Sequence, residues 1–151
     1  MSVFAPGLVQ RSRSFDSKAD CLKQMVSWLH SAGAIASPRA FLKDVNEREE
    51  VMPTGIGRAV ALPHARSESA LWMQVAVCTL EQPLDWHSLD GKPVRIVLLV
   101  AVPQDAGKDY MQFMQRVSEF CRHEENRKAL LLAESDDAML SALRHMETDK
   151  R

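Results

Sequence analysis

Apolar residues recur at helical spacing in two stretches near the start of the chain. Leu22, Met25, Val26 and Leu29 predict a helix from Ser17 to about His30, closed by Gly33. Ser37 is a good N-cap and Pro38 suits a first helical position, so a second helix starts there and stops at Pro53. On it Phe41, Val45 and Arg48 share one stripe, and Arg39, Lys43, Glu47 and Glu50 the opposite one. Two near-continuous apolar runs, Trp72 to Leu80 and Val94 to Val102, predict strands covered on both faces. Between them, EQPLDWHSLDGKP reads as a loop or hairpin with a turn at Asp90–Gly91. Helical spacing returns from about Lys108 to Arg122, with Tyr110, Phe113, Met114, Val117, Phe120 and Cys121 on the buried stripe. Asn126 to Ala133 predicts a short helix. Ser135 opens a last one, with Asp136 and Asp137 in its first turn and Arg144 and His145 in its last, as the helix dipole favours. Residues 1–16 read as an irregular or edge segment. The order of elements predicts an α/β sheet sandwiched by helices.

Composition narrows the class. A chain of 151 residues with 46% hydrophobic and 26% charged residues fits one globular domain, expected to span 1–151. A net charge of −1 speaks against a nucleic-acid partner and against a polybasic membrane patch. Three cysteines and no CxxC pair predict no disulfide framework and a reducing, cytoplasmic setting. Arg11 and Arg13 follow the early apolar residues, the wrong order for a secretory signal. The run from Ile96 to Val102 falls far short of the ~20 residues that cross a bilayer, so no membrane insertion is expected.

The chemistry concentrates in Arg48 to Arg66, REEVMPTGIGRAVALPHAR. Arg58 to Leu62 can alternate as a short strand. Pro63 cannot donate to a ladder, so the strand is expected to end and deliver His64 at its tip, in a loop. Thr54, Gly55, Gly57 and Pro63 form a candidate phosphate loop with bare backbone. Arg48, 16 positions before His64, offers a planar fork for phosphate. A neutral imidazole near pH 7 is nucleophilic, its second nitrogen can be oriented by a hydrogen bond, and a phosphoramidate passes its group on readily. Either ring nitrogen of His64 could serve. His30, His87 and His145 read as surface or packing residues. Cys121 and His123 face different ways on a helix and make a poor metal pair. HExxH, P-loop and GxSxG patterns do not occur.

These residues also resemble a family. Arg48-Glu49-Glu50, Thr54-Gly55-Ile56-Gly57 and Ala61-Leu62-Pro63-His64 are similar to the motif of the fructose/mannitol-type IIA domain of the bacterial phosphoenolpyruvate-dependent sugar phosphotransferase system, including its nitrogen-regulatory branch. The resemblance implies a mixed sheet of about five strands with helices on both faces. It implies a phosphotransferase in which a phosphocarrier protein donates to His64, forming a phosphohistidine that is passed to a cysteine of a IIB partner. Arg48 is then the residue that stabilises the phosphate, and no metal or organic cofactor is expected. With one domain, donor and acceptor are expected to be other proteins, docking around His64 on exposed apolar residues. Two positions depart from the pattern: Ala59 stands where the family has glycine, and Tyr110 where it has a second histidine. The Tyr110 hydroxyl can donate one hydrogen bond but carries no positive charge near pH 7. That departure keeps a second reading open, a regulatory module that senses phosphorylation and grips a partner without feeding a sugar permease.

Overall fold

The computed structural model describes residues 2–148; Met1 and residues 149–151 of the expected 1–151 domain lie outside them. Six strands and five helices follow the order β1 Val9–Arg13, α1 Lys18–Ser31, α2 Pro38–Val51, β2 Gly55–Gly57, β3 Val60–Ala61, β4 His64–Ser67, β5 Gln74–Leu84, β6 Val94–Pro103, α3 Lys108–Arg122, α4 Glu124–Leu131 and α5 Asp136–Thr148. The strands form one mixed sheet in the order β1-β5-β6-β3-β2, with β4 also pairing β6. The sheet therefore has six strands where about five were expected.

The helix ends form where capping chemistry places them. Ser17 caps α1 by accepting from the Asp20 N–H at 3.1 Å, and Ser37 caps α2 by accepting from the Ala40 N–H at 3.1 Å. Gly33 follows α1 at φ 83°, a left-handed position glycine adopts without strain. Central strands β5 and β6 are antiparallel and bury alternate residues on opposite faces. Ala76, Cys78, Val97 and Leu99 pack against Leu22, Met25, Leu29, Phe41 and Val45 of α1 and α2. Val75, Val77, Ile96, Leu98 and Val100 pack against Phe113, Val117, Met139 and Leu143 of α3 and α5. Covered on both sides, these strands need apolar residues at every position, which is why their sequences run apolar without alternation.

Residues 1–16, expected to be an irregular or edge segment, contain the edge strand β1, parallel to β5. Two strand expectations are corrected. β5 starts at Gln74 rather than Trp72 and runs on to Leu84, through residues expected to form a loop. Its pairing with β6 becomes irregular between Thr79 and Leu84, which leaves room for Pro83. The strand expected over Arg58 to Leu62 is instead a hairpin. β2 and β3 are antiparallel, and Gly57 pairs with Val60 across a two-residue turn. Arg58 and Ala59 take φ 57° and 66° there, the left-handed pair of a type I′ turn.

The step from β3 to β4 builds the site. Both strands run parallel to β6, Val60 opposite Ile96 and His64 opposite Val100. Pro63 interrupts them but stays in the sheet through its carbonyl, which accepts from the Val100 N–H at 2.9 Å. His64 is thus the first residue of β4, not a loop residue. β2 pairs with β3 and not with β4, so the outer edge of β4 is bare. α2 comes to this edge from one face of the sheet and Tyr110 of α3 from the other.

Candidate active site

A cleft of 420 Å³ opens at that edge, lined by Asp44, Glu47, Arg48 and Val51 of α2, His64, Ala65 and Arg66 of β4, and Tyr110. His64 is half-buried. Its Nδ1 lies 2.9 Å from the carbonyl oxygen of Leu62, two residues back across Pro63. A carbonyl only accepts, so in the neutral ring Nδ1 carries the proton and Nε2 keeps the lone pair. Burial pushes the His64 pKa below its usual value. The Leu62 carbonyl opposes that shift, the Arg48 charge adds to it, and the Glu49 charge opposes it. The imidazole is held neutral, with one defined nucleophilic nitrogen.

Arg48 lines the cleft near the end of α2, and its Nη1 donates to the Met52 carbonyl at 2.9 Å. The expected inward stripe is corrected by one residue. It continues from Phe41 and Val45 to Glu49, while Arg48 is half-buried beside it. Glu49 is the central acceptor of a buried network. Its carboxylate takes the Lys18 ammonium at 2.7 Å, the Thr54 N–H at 3.1 Å and the Thr54 hydroxyl. The Thr54 oxygen in turn accepts from Trp86 Nε1 at 3.3 Å, and the Lys18 ammonium lies 5.1 Å above the Trp86 ring. This network ties α1, the end of α2 and the start of β2 together directly behind Arg48.

Of the candidate phosphate loop, Thr54, Gly55 and Gly57 lie in and before the β2–β3 hairpin and Pro63 directly precedes His64; the cleft walls themselves come from other residues. Thr54 belongs to the buried network. Gly55 is bare because the loop after β5 packs onto it; a Cβ there would fall 2.0 Å from Ser88 Oγ. Gly57, at φ 89°, leads into the hairpin turn. These residues shape the hairpin that carries β3 and, through it, position His64.

Tyr110 does lie beside His64, with ring centroids 6.4 Å apart and a 46° tilt. The approach is ring to ring, and the Arg66 guanidinium stands over the same Tyr110 ring at 5.2 Å. Arg66 was not singled out from the sequence. The signal was its spacing: on a strand, positions 64 and 66 face the same side. Val51, which lines the cleft, is 83% exposed, and Met52 next to it is 54% exposed.

A larger groove of 760 Å³ runs between α3, α4 and α5, and there His123 Nε2 meets Glu119 at 3.0 Å. Among the described residues, no group of three or more His, Cys, Asp or Glu side chains is arranged to hold a metal. The three cysteines are buried, and burial pushes the Cys121 thiol up to about 12. No helix among the described residues is long and apolar enough to cross a membrane.

This chain is 32% identical to the fructose-specific EIIABC component of Bacillus subtilis over 83% of its own length and 20% of that protein's. It is 26% identical to a nitrogen regulatory protein of Bradyrhizobium diazoefficiens, over 92% of its length and 90% of that protein's. The chain spans about a fifth or less of the multidomain relatives it matches. Among solved structures, the nitrogen regulatory protein IIA-Ntr of Neisseria meningitidis shares the fold with a TM-score of 0.86 at 20% identity, covering 93% of this chain and 96% of that one. IIA mannitol of Escherichia coli shares it with a TM-score of 0.76 at 19% identity, covering 92% and 98%. Residues 2–146 match the family described as phosphoenolpyruvate-dependent sugar phosphotransferase system, EIIA 2, and the chain that places His64 at this sheet edge belongs to that family.

Proposed function

We propose that this chain is a phosphoryl carrier in which His64 Nε2 accepts a phosphoryl group from a phosphocarrier protein and hands it to a cysteine of a IIB partner. The hydrogen bond from His64 Nδ1–H to the Leu62 carbonyl carries the reading, because it leaves Nε2 as the only free nucleophile. The donor's bond to phosphorus breaks as the Nε2–phosphorus bond forms. Nδ1 keeps its proton throughout, so uptake requires no proton transfer at the ring. Arg48 beside it meets the developing charge on the phosphoryl oxygens. In the second step a partner thiolate displaces Nε2 from phosphorus and restores the neutral imidazole. Val51 and Met52 supply apolar area for transient docking of each partner in turn.

Relatives support this role: one is a multiphosphoryl transfer protein of Escherichia coli, and a structure of similar fold holds the mannitol IIA enzyme with phosphorylated IIB. A cytoplasmic location goes with such partners. The test is intact-protein mass after incubation with phosphoenolpyruvate, the general phosphotransferase enzyme and a phosphocarrier protein. One added phosphate in wild type and none in His64→Ala is expected; equal labelling of both would remove His64 from the mechanism.

A second reading, a regulatory module that senses phosphorylation, draws support from Tyr110, which puts an uncharged ring where the resemblance implies a second histidine. The two differ in the second step. A carrier empties onto IIB, whereas a regulator stays phosphorylated in its presence.

A further inference from the structure

We propose that Arg66 is a second phosphoryl-binding residue, its guanidinium carried on the ring of Tyr110 so that it closes on the phosphoryl group held at His64 Nε2. This rests on the carrier reading. His64 and Arg66 are two apart on β4 and so project from the same face of the strand. One ring serves both side chains: Tyr110 lies 6.4 Å from the His64 ring and 5.2 Å from the Arg66 guanidinium carbon.

The charges of the cleft favour a second cation. Its walls carry Asp44 and Glu47 as well as Arg48 and Arg66, and Glu47 is exposed beside Lys43. With Arg48 alone the lining is net negative, and a phosphoryl group brings about −1.5 to −2 more, of which the imidazolium formed at His64 offsets one charge. Arg48 also has one guanidinium nitrogen committed to the Met52 carbonyl. Asp44 stays in place because the Ser67 hydroxyl donates to it at 2.6 Å.

Arg66 is available. Among the described residues it enters no ion pair within 4.0 Å, and its ring contact is the interaction that holds it. A single cation–ring contact on a half-buried tyrosine is weaker than a guanidinium bridging two phosphoryl oxygens. Arg66 is exposed, so its side chain can swing without disturbing the core. In the unphosphorylated chain Arg48 is the cation that His64 feels; Arg66 comes into play as charge arrives. Here the tyrosine acts through its ring face and not through its hydroxyl.

The experiment is single-turnover phosphoryl uptake from saturating phosphorylated phosphocarrier protein, for wild type, Arg66→Gln, Arg66→Lys, Tyr110→Phe and Tyr110→Leu, with circular dichroism to establish folding. Arg66→Gln is expected to slow uptake roughly 10–100-fold, at or below the lower limit for loss of one transition-state donor because Arg48 remains. Arg66→Lys recovers part of the rate, Tyr110→Phe matches wild type, and Tyr110→Leu falls between. A phosphorus NMR titration of the phosphorylated chain needs no partner, and in Arg66→Gln the phosphoryl group should take its last proton at higher pH. Wild-type uptake and an unmoved titration in Arg66→Gln would overturn the Arg66 assignment and leave the carrier reading intact. Loss of rate in Tyr110→Phe would overturn the ring-borne arrangement. A wild type that gains no phosphate at His64 removes the carrier reading and this proposal together.

Discussion

Replacing Glu49 by alanine should be among the most damaging single changes in the chain, although Glu49 forms no part of the cleft wall. Its side chain is 6% exposed and its Lys18 partner 22%, so the ion pair at 2.7 Å is largely withdrawn from water. Removing the carboxylate leaves the Lys18 ammonium without its counter-charge. It also strips the acceptor from the buried Thr54 N–H and hydroxyl. Breaking one side of a buried pair costs about 3–5 kcal/mol. For a domain of this size that lowers the midpoint temperature by roughly 6–20 °C, at about 2–4 °C per kcal/mol. The assay is urea unfolding together with a thermal melt. Lys128→Ala serves as control, because it removes an exposed pair at 3.2 Å that should leave stability unchanged within error. A Glu49→Ala loss below about 1 kcal/mol, the range of surface pairs, would refute the reasoning. Glu49→Gln keeps an acceptor for Thr54 but not the charge for Lys18, so it should fall between alanine and wild type.

Other substitutions separate backbone from packing effects. Ala59→Gly should stabilise by up to about 1 kcal/mol, since the left-handed φ of 66° costs alanine about 1–2 kcal/mol and the freer unfolded glycine chain returns only part of that; a destabilised variant in urea would contradict the turn geometry. Gly55→Ala should cost at least about 1–3 kcal/mol by overpacking, because its Cβ meets Ser88 at Oγ, Cβ and the backbone Cα, the last at 3.0 Å. Ser88→Ala should be neutral or stabilising in the same melt, as the buried Ser88 hydroxyl has no hydrogen-bond partner among the described residues. The pH dependence follows from the lowered His64 pKa. As pH falls below about 6.5, the unfolded histidine takes a proton that the folded one still refuses, so wild type loses stability in that window. Melts at pH 7.5 and 5.5 should therefore differ more for wild type than for His64→Ala, and phosphoryl uptake should stay flat through pH 6.5 before declining; equal pH effects on both proteins would exclude His64 as the cause.

The parts of the fold that were legible are those written in local signals. Ser37-Pro38 marks the start of α2 through its own capping hydrogen bond, and the runs in β5 and β6 are apolar because both faces are covered. The edges were less legible. β1 is buried mainly at Val9, so it shows no alternating pattern. β2 and β3 have three and two residues, too short for any period. His64 and Arg48 stood out because residue types and spacing converge on one chemistry. Arg66 did not, because reading Pro63 as the end of the strand removed the alternation that pairs positions 64 and 66. Glu49 was hidden for a different reason. The stripe from Phe41 and Val45 can be continued at i+7 to Arg48 or at i+8 to Glu49, and the Lys18 that satisfies Glu49 comes from another helix. The tautomer of His64 depends on the carbonyl of Leu62 being turned toward Nδ1, which no residue pattern specifies.

That tautomer also offers the most direct test. Nitrogen-15 long-range correlation of the chain labelled at histidine, recorded before and after phosphorylation, reports which ring nitrogen of His64 carries hydrogen and which carries phosphorus. Phosphorus on Nε2 with the proton retained on Nδ1 is the expected result. Phosphorus on Nδ1, or on any residue other than His64, would contradict it.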